Sequence, residues 1–231
     1  MKAKTFLFTL LFGAATVAPA LAADDARERA DKRIRDSASV LQEIIGVGGD
    51  KGIPRDLIEK AQCIGVIPNL KRAGFIVGAK YGKGVVTCRL AAGGWSAPEI
   101  VQVEGGNIGL QIGAGETDFV FAVMNRRGMD RLMSDKFTVG GDAAVMAGPV
   151  GRETTAQTDA VAKAEIISWS RAHGVFAGVT LDGATLAPDK DDNHALYGPD
   201  AGAHEILMGT ARPTAAAQPL FENLRAFPPR G

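Results

Sequence analysis

The sequence predicts an α+β fold: a glycine-rich, strongly curved, mainly antiparallel sheet, barrel-like or a sandwich, with N-terminal and C-terminal helices. Three observations predict it. From Gly74 to Gly183 short apolar runs are broken by glycines, and the long amphipathic helical patterns sit toward the two ends. Glycine supplies 29 of 231 residues, well above the usual ~7%. Many of these glycines fall inside strand patterns, where they weaken packing unless the sheet bends or something approaches the backbone closely. Curvature or a ligand space follows.

Lys2 and Lys4 precede an apolar run from Phe6 to Val17 that ends in Ala20-Leu21-Ala22, the small-x-small pattern of a signal-peptidase site. Residues 1–22 are read as a cleaved signal peptide, since the run is shorter than the ~20 residues a bilayer span needs. With no cysteine just after the expected cleavage site, a lipid anchor is not expected, and the localisation is periplasmic or secreted. Residues 23–231 then form a single domain. With 26 Lys+Arg against 26 Asp+Glu, no nucleic-acid signature is present.

Ala23 to Ile45 reads as one amphipathic helix, with Ala26, Ala30, Ile34, Ala38, Leu41 and Ile45 on one arc and Gly46, Gly48 and Gly49 ending it. Its basic residues from Arg27 to Arg35 are matched by Asp24, Asp25, Glu28, Asp31 and Asp36, which favours a solvated face over a membrane-seeking one. A short helix starts at Pro54 and runs to Ala61. Cys63 to Ile67 is a strand stopped by Pro68. Gly82-Lys83 is read as a two-residue hairpin turn pairing Lys80 with Val85. That register puts Phe75, Val77, Ala79, Val86, Cys88 and Leu90 inward and Lys80, Thr87 and Arg89 outward. Further strands cover Ile100–Val103, Ile108–Ile112, a central Asp118–Met124, Ala164–Arg171 and Val175–Leu181. A last helix carries Leu220, Phe221, Leu224 and Phe227.

No catalytic or cofactor set emerges. Gly78-Ala79-Lys80-Tyr81-Gly82-Lys83-Gly84 is one residue short of a phosphate loop, lacks the following Ser or Thr and leads into a strand. Asp189 to Asn193 resembles part of a calcium loop, but His194 replaces the glycine that allows its bend; a helix capped by Asp189 and running to Tyr197 is the alternative. His173, His194 and His204 lack metal-ligand spacing, and no G-x-S-x-G elbow is present. Cys63 and Cys88 can form a disulfide in an oxidising compartment or remain two buried thiols; the sequence leaves both readings open.

Charge distribution is more informative. Between Cys63 and Pro98, Lys71, Arg72, Lys80, Lys83 and Arg89 occur without any acid. Gathered on one face they form an anion-attracting patch; the plain alternative is a solvated sheet face.

Arg72-Ala73-Gly74-Phe75, Gly82-Lys83-Gly84, Trp95-Ser96-Ala97-Pro98 and Gly148-Pro149-Val150-Gly151-Arg152 resemble, in order, the SYLF domain family. The likeness continues through Gly174-Val175-Phe176-Ala177-Gly178-Val179 and Asn193-His194-Ala195-Leu196-Tyr197-Gly198 to the last helix. That family takes in bacterial exported proteins, so the resemblance implies a non-enzymatic lipid-binding module of the bacterial envelope without a cofactor; its eukaryotic members prefer phosphoinositides, and some bind actin filaments. In the family, lipid contacts are associated with an N-terminal amphipathic helix and nearby basic residues, where Lys32, Arg33, Lys71 and Arg72 stand here. The expected ligand is a phospholipid or another anionic lipid at a membrane surface, held by Lys32, Arg33, Lys71, Arg72, Lys80, Lys83 and Arg89. The second reading is a protein-interaction or scaffold module that offers the same patch to an acidic partner.

Overall fold

The computed structural model describes residues 18–46, 52–74, 77–108, 113–150, 163–172, 175–180 and 183–228. Residues 1–17 of the expected signal peptide lie outside these, as do Gly48, Gly49, Phe75, Ile112, Arg152, His173 and Leu181.

Helices α1 (Ala18–Gly46) and α2 (Arg55–Lys60) lead into β1 (Cys63–Gly74), β2 (Val77–Cys88), β3 (Glu99–Ile108) and β4 (Gly113–Val123). After α3 (Arg126–Leu132) come β5 (Phe137–Thr138), β6 (Val145–Ala147), β7 (Ile166–Ala172), β8 (Val175–Gly178) and β9 (Ala184–Pro188). The chain closes with α4 (Lys190–Tyr197), α5 (Ala203–Leu207) and α6 (Gln218–Arg225). The strands make one sheet in the order β5-β9-β3-β2-β1-β4-β7-β6, with β8 also on β7. Every pairing between these strands is antiparallel except β6 on β7.

That order forces curvature. β5 and β6 lie at opposite ends of the sheet, yet residues 139–144 alone connect them, and such a segment reaches no more than ~25 Å when extended. The sheet must therefore curl until its edges approach, as the glycine content predicts. Both of its faces are buried. Cys63, Ile67, Leu70, Val86, Val103, Phe119 and Phe121 fill the concave side. Ile64, Val66, Val85, Ile100, Val120 and Trp169 face outward and are covered by α1, α2, α4 and α6. Phe121 stands opposite Gly65 in the β1–β4 ladder, and a Cβ on Gly65 would fall 2.1 Å from its ring. Here a glycine makes room for an aromatic ring rather than for a ligand.

The expected hairpin at Gly82-Lys83 is not formed. β2 runs straight through it, with Gly82 paired to Val103 and Lys83 to Gln102 of β3, while β1 and β2 pair up to Gly74 and Gly78. Close approach explains the glycine better than a turn does: a Cβ on Gly84 would lie 2.0 Å from the Val66 carbonyl oxygen and 2.7 Å from the Ile67 Cα. Nor does Pro68 stop β1. The strand continues through it with Asn69 at φ 50°, and its register shifts by one residue against both β2 and β4, which is a β-bulge with the extra residue on β1. The strand expected over Ile100–Val103 continues through Gly105-Gly106 to Ile108, and the rest of the strand expected over Ile108–Ile112 lies outside the described residues. β4 lies between β1 and β7 as an interior strand. Short β5, β6 and β9 have too little periodicity to read from sequence.

Cys63 and Cys88 are bonded, directly opposite one another in the β1–β2 ladder. Closing a loop of this length contributes about 3 kcal/mol in the chain-entropy account. Asp189 caps α4 by accepting the Asp192 N–H at 3.3 Å. Leu220 and Leu224 of α6 are buried, as is Phe227, which lies beyond the helix end at Arg225 rather than on it as expected.

Glu99, opposite Val86 in the β2–β3 ladder, is fully buried, and neither carboxyl oxygen has a hydrogen-bond partner among the described residues. Burial pushes its carboxyl up to about 8. Since the unfolded chain ionises this group near pH 4.5 while the fold keeps it protonated, stability falls as pH rises from about 4.5 to about 8. Glu99→Gln is expected to flatten that decline, raising the unfolding free energy above wild type at pH 8.5 more than at pH 4.5. Urea unfolding at the two pH values checks this, and equal slopes for the two proteins would contradict it.

Candidate anion-binding cleft

α1 lies docked on the convex face of the sheet. Its buried positions Ala30, Ile34, Ala38, Leu41 and Ile44 recur at helical spacing and join the outer core, and the buried Ser37 hydroxyl donates to the Val66 carbonyl at 3.4 Å. Polar contacts hold it along its length. Arg27 donates to the Ala195 and Leu196 carbonyls at 3.1 and 3.2 Å. The Thr214 hydroxyl donates to Asp31 at 2.7 Å, and the Asn223 amide donates to the Ala38 carbonyl at 2.8 Å. Toward its C-terminal end Glu43 pairs with Arg171, which also donates to Asp118 at 2.7 Å.

A cleft of about 410 Å³ opens between α1 and the bulged part of β1, its charged lining being Arg29, Arg33, Asp36, Lys71 and Lys83. The bulge creates this arrangement. Before it, odd-numbered residues of β1 such as Cys63 and Ile67 face the concave core; after it, even-numbered Leu70 does. The extra residue therefore turns Lys71 outward to the α1 side. On β2 the odd positions are already outward, so Tyr81, opposite Lys71 in the ladder, and Lys83 share that face. From the helix, Arg29 and Arg33 meet them one turn apart.

The cleft has a neutralised floor and an open rim. At the floor Lys83 pairs with Asp189 and lies 3.6 Å from Asp192, while Arg33 lies 3.8 Å from Asp192. Both carboxylates are buried, with 6% and 8% of their side chains exposed. Burial works to lower the Lys83 ammonium, but its hydrogen bond to Asp189 and the two neighbouring carboxylates outweigh that and hold it above its ordinary value. The Asp192 carboxyl is raised, first by burial and then by Asp189, against the pull of Lys83 and Arg33. At the rim the Lys71–Glu116 pair, at 3.8 Å with 71% and 56% of the side chains exposed, is worth little in water. Arg29 is exposed and makes no ion pair among the described residues. Tyr81 stands 47% exposed beside them.

Of the seven basic residues singled out from sequence, the structure thus brings together Arg33, Lys71 and Lys83. The others lie elsewhere. Lys32 pairs with Asp36 at 2.7 Å on the solvent side of α1. Arg72 and Lys80 are directly opposite in the β1–β2 ladder at positions that alternate away from α1, and Arg72 donates to the Thr117 hydroxyl at 3.1 Å. Arg89 is not on an open sheet face. Its guanidinium stacks on Trp95 at 4.3 Å and donates to the carbonyls of Ala61 at 3.0 Å, Ile58 at 3.2 Å and Phe227 at 2.9 Å. It ties the end of α2 to the C-terminal segment, and burial lowers its pKa. Arg29 was missed, although its four-residue spacing to Arg33 was the signal for a shared helix face.

The arrangement can hold an anion by charge and N–H donation. Among the described residues no group of His, Cys, Asp and Glu is placed to hold a metal ion, and no helix is long and apolar enough to cross a membrane.

Comparison with known proteins adds the family. The chain is 37% identical over 186 residues to LAS seventeen-binding protein 3 of Saccharomyces cerevisiae, which covers 78% of this chain and 40% of the yeast protein. It is 36% identical over 200 residues to SH3 domain-containing YSC84-like protein 1 of Xenopus laevis, covering 84% of this chain and 59% of the other. To the Homo sapiens protein of that name it is 33% identical over 196 residues, covering 83% and 57%. The chain thus spans about half the length of these relatives, whose names are those of binding and SH3-containing proteins. A family model described as Las17-binding protein actin regulator matches residues 104–227, more than half of the sequence, and the chain belongs to this Ysc84, or SYLF, family.

Proposed function

We propose that this chain is a non-enzymatic module of the bacterial envelope that binds the phosphate of an anionic lipid headgroup in the cleft beneath α1. The observation that supports it is the convergence of Arg29 and Lys71 on one opening, over a floor where Arg33 and Lys83 are already paired with buried carboxylates. Arg29 and Lys71 are the cations free to exchange water and weak partners for phosphate oxygens; Lys83 positions the floor. Tyr81 adds an amphipathic ring of the kind that settles at membrane interfaces. Binding occurs with α1 docked, because its apolar stripe is already buried. The expected leader peptide accords with a periplasmic or secreted location.

An acidic protein segment is the second reading, favoured by the name of the yeast relative, which is that of a protein-binding protein. The same rim would serve it.

Each Lys or Arg held near an anionic surface adds about 1 kcal/mol, screened by salt. Arg29→Glu/Lys71→Glu is therefore expected to weaken co-sedimentation with phosphatidylglycerol-containing vesicles at least ~10-fold while leaving thermal stability near wild type. Undiminished co-sedimentation would remove the headgroup assignment. Lys83→Met should act differently, since it leaves Asp189 and Asp192 without their main counter-charge. It is expected to cost about 3 kcal/mol of folding stability in urea unfolding, and a stability equal to wild type would contradict the division into floor and rim.

A further inference from the structure

We propose a second anion-binding site, on α3 and the turn after it, that takes a phosphate group. Arg127, Arg131, Ser134 and Lys136 line a cleft of about 510 Å³ together with Asp130, Asp142 and the buried Phe137. The three cations outnumber the two acids, and each acid has a local partner that orients its carboxylate. Asp130 lies 3.8 Å from Arg126, one turn earlier on α3. Asp142 accepts the Thr138 N–H at 2.7 Å and closes the turn that follows β5.

The cations are better disposed. Arg131 is steadied by Glu165, a buried carboxylate 4.0 Å from its Nε, which leaves its terminal nitrogens for another oxygen ligand. Arg127 and Lys136 are exposed and pair with no carboxylate among the described residues. The Ser134 hydroxyl donates to the Arg131 carbonyl at 2.6 Å, covering an oxygen at the C-terminal end of α3 that would otherwise repel an anion. Two guanidinium groups and an ammonium around one opening match the oxygens of a phosphate, which accepts several charge-assisted hydrogen bonds at once. The cleft shares no lining residue with the one beneath α1, so this inference stands apart from the function proposed above. Its phosphate can belong to a soluble compound or to a lipid headgroup.

The test titrates the full chain with inorganic pyrophosphate while backbone amide shifts of residues 127–142 are followed by NMR. Saturable shifts are expected in wild type and in Arg29→Glu/Lys71→Glu, with affinity at least fivefold weaker in Arg127→Glu/Lys136→Glu, whose substituted side chains are exposed and leave the core untouched. A parallel arm measures retention on phosphatidylcholine vesicles with and without phosphatidylglycerol. Retention reduced by Arg127→Glu/Lys136→Glu assigns the phosphate to a headgroup; retention unchanged while the pyrophosphate effect persists assigns it to a soluble compound. No saturable shift over these residues in wild type, or equal affinity in Arg127→Glu/Lys136→Glu, would overturn the site. Because the two double variants alter different clefts, failure of one assignment is read separately from failure of the other.

Discussion

The docking of α1 on the convex face of the sheet is the contact on which the cationic cleft depends. A curled sheet that is apolar on both faces needs covering on its outside as well as filling on its inside, and Ile34, Leu41 and Ile44 supply part of that cover. Each fully buried side chain of this size contributes roughly 1.5–3 kcal/mol relative to exposure. A surface ion pair contributes about 1 kcal/mol at most. Apolar burial therefore decides where the helix lies, and the charges of its other faces are carried into place by it. Arg29 and Arg33 reach the sheet because Ala30 and Ile34 beside them are buried.

The same comparison of magnitudes separates two kinds of basic residue. Lys83, Arg89 and Arg171 hold parts of the fold together: one pairs with buried carboxylates, one with helix-end carbonyls and an indole ring, one with Asp118 and Glu43. Removing Lys83 or Arg89 leaves buried polar groups without these partners, and removing Arg171 frees Asp118 and Glu43, which costs stability before it costs binding. Arg29 and Lys71 have little to lose, being exposed and unpaired or weakly paired. Among the described residues around the cleft beneath α1, the proposed headgroup contact is accordingly assigned to cations of the second kind. Charge density along the sequence does not distinguish the two, because pairing partners such as Asp189 and Glu43 lie far away in the chain.

Much of the architecture was legible in local chemistry. The apolar arc of α1, Pro54 before α2, the Asp189 cap and the all-apolar run of β4 each identify their element through a physical rule that tertiary structure respects. The ordered motifs identified the family. The hairpin failed because Gly82-Lys83-Gly84 carries turn chemistry that serves another purpose: the glycines admit the bulged β1 backbone, an approach between strands that no local pattern announces. Pro68 misled for the same reason, since proline is compatible with a bulge as well as with a strand end. That one extra residue reversed which side chains of β1 face outward. The expected basic face was accordingly split, with Lys71 and Lys83 toward α1 and Arg72 and Lys80 away from it.

Binding in the proposed cleft requires α1 to stay on the sheet, and amide hydrogen exchange reports whether it does. With phosphatidylglycerol-containing vesicles at saturation, exchange over Ile34 to Ile44 should be as slow as in free protein or slower, while amides around Lys71 and Tyr81 gain protection. Faster exchange along α1 on vesicle binding would show the helix leaving the sheet, and the cleft would then not be the binding site.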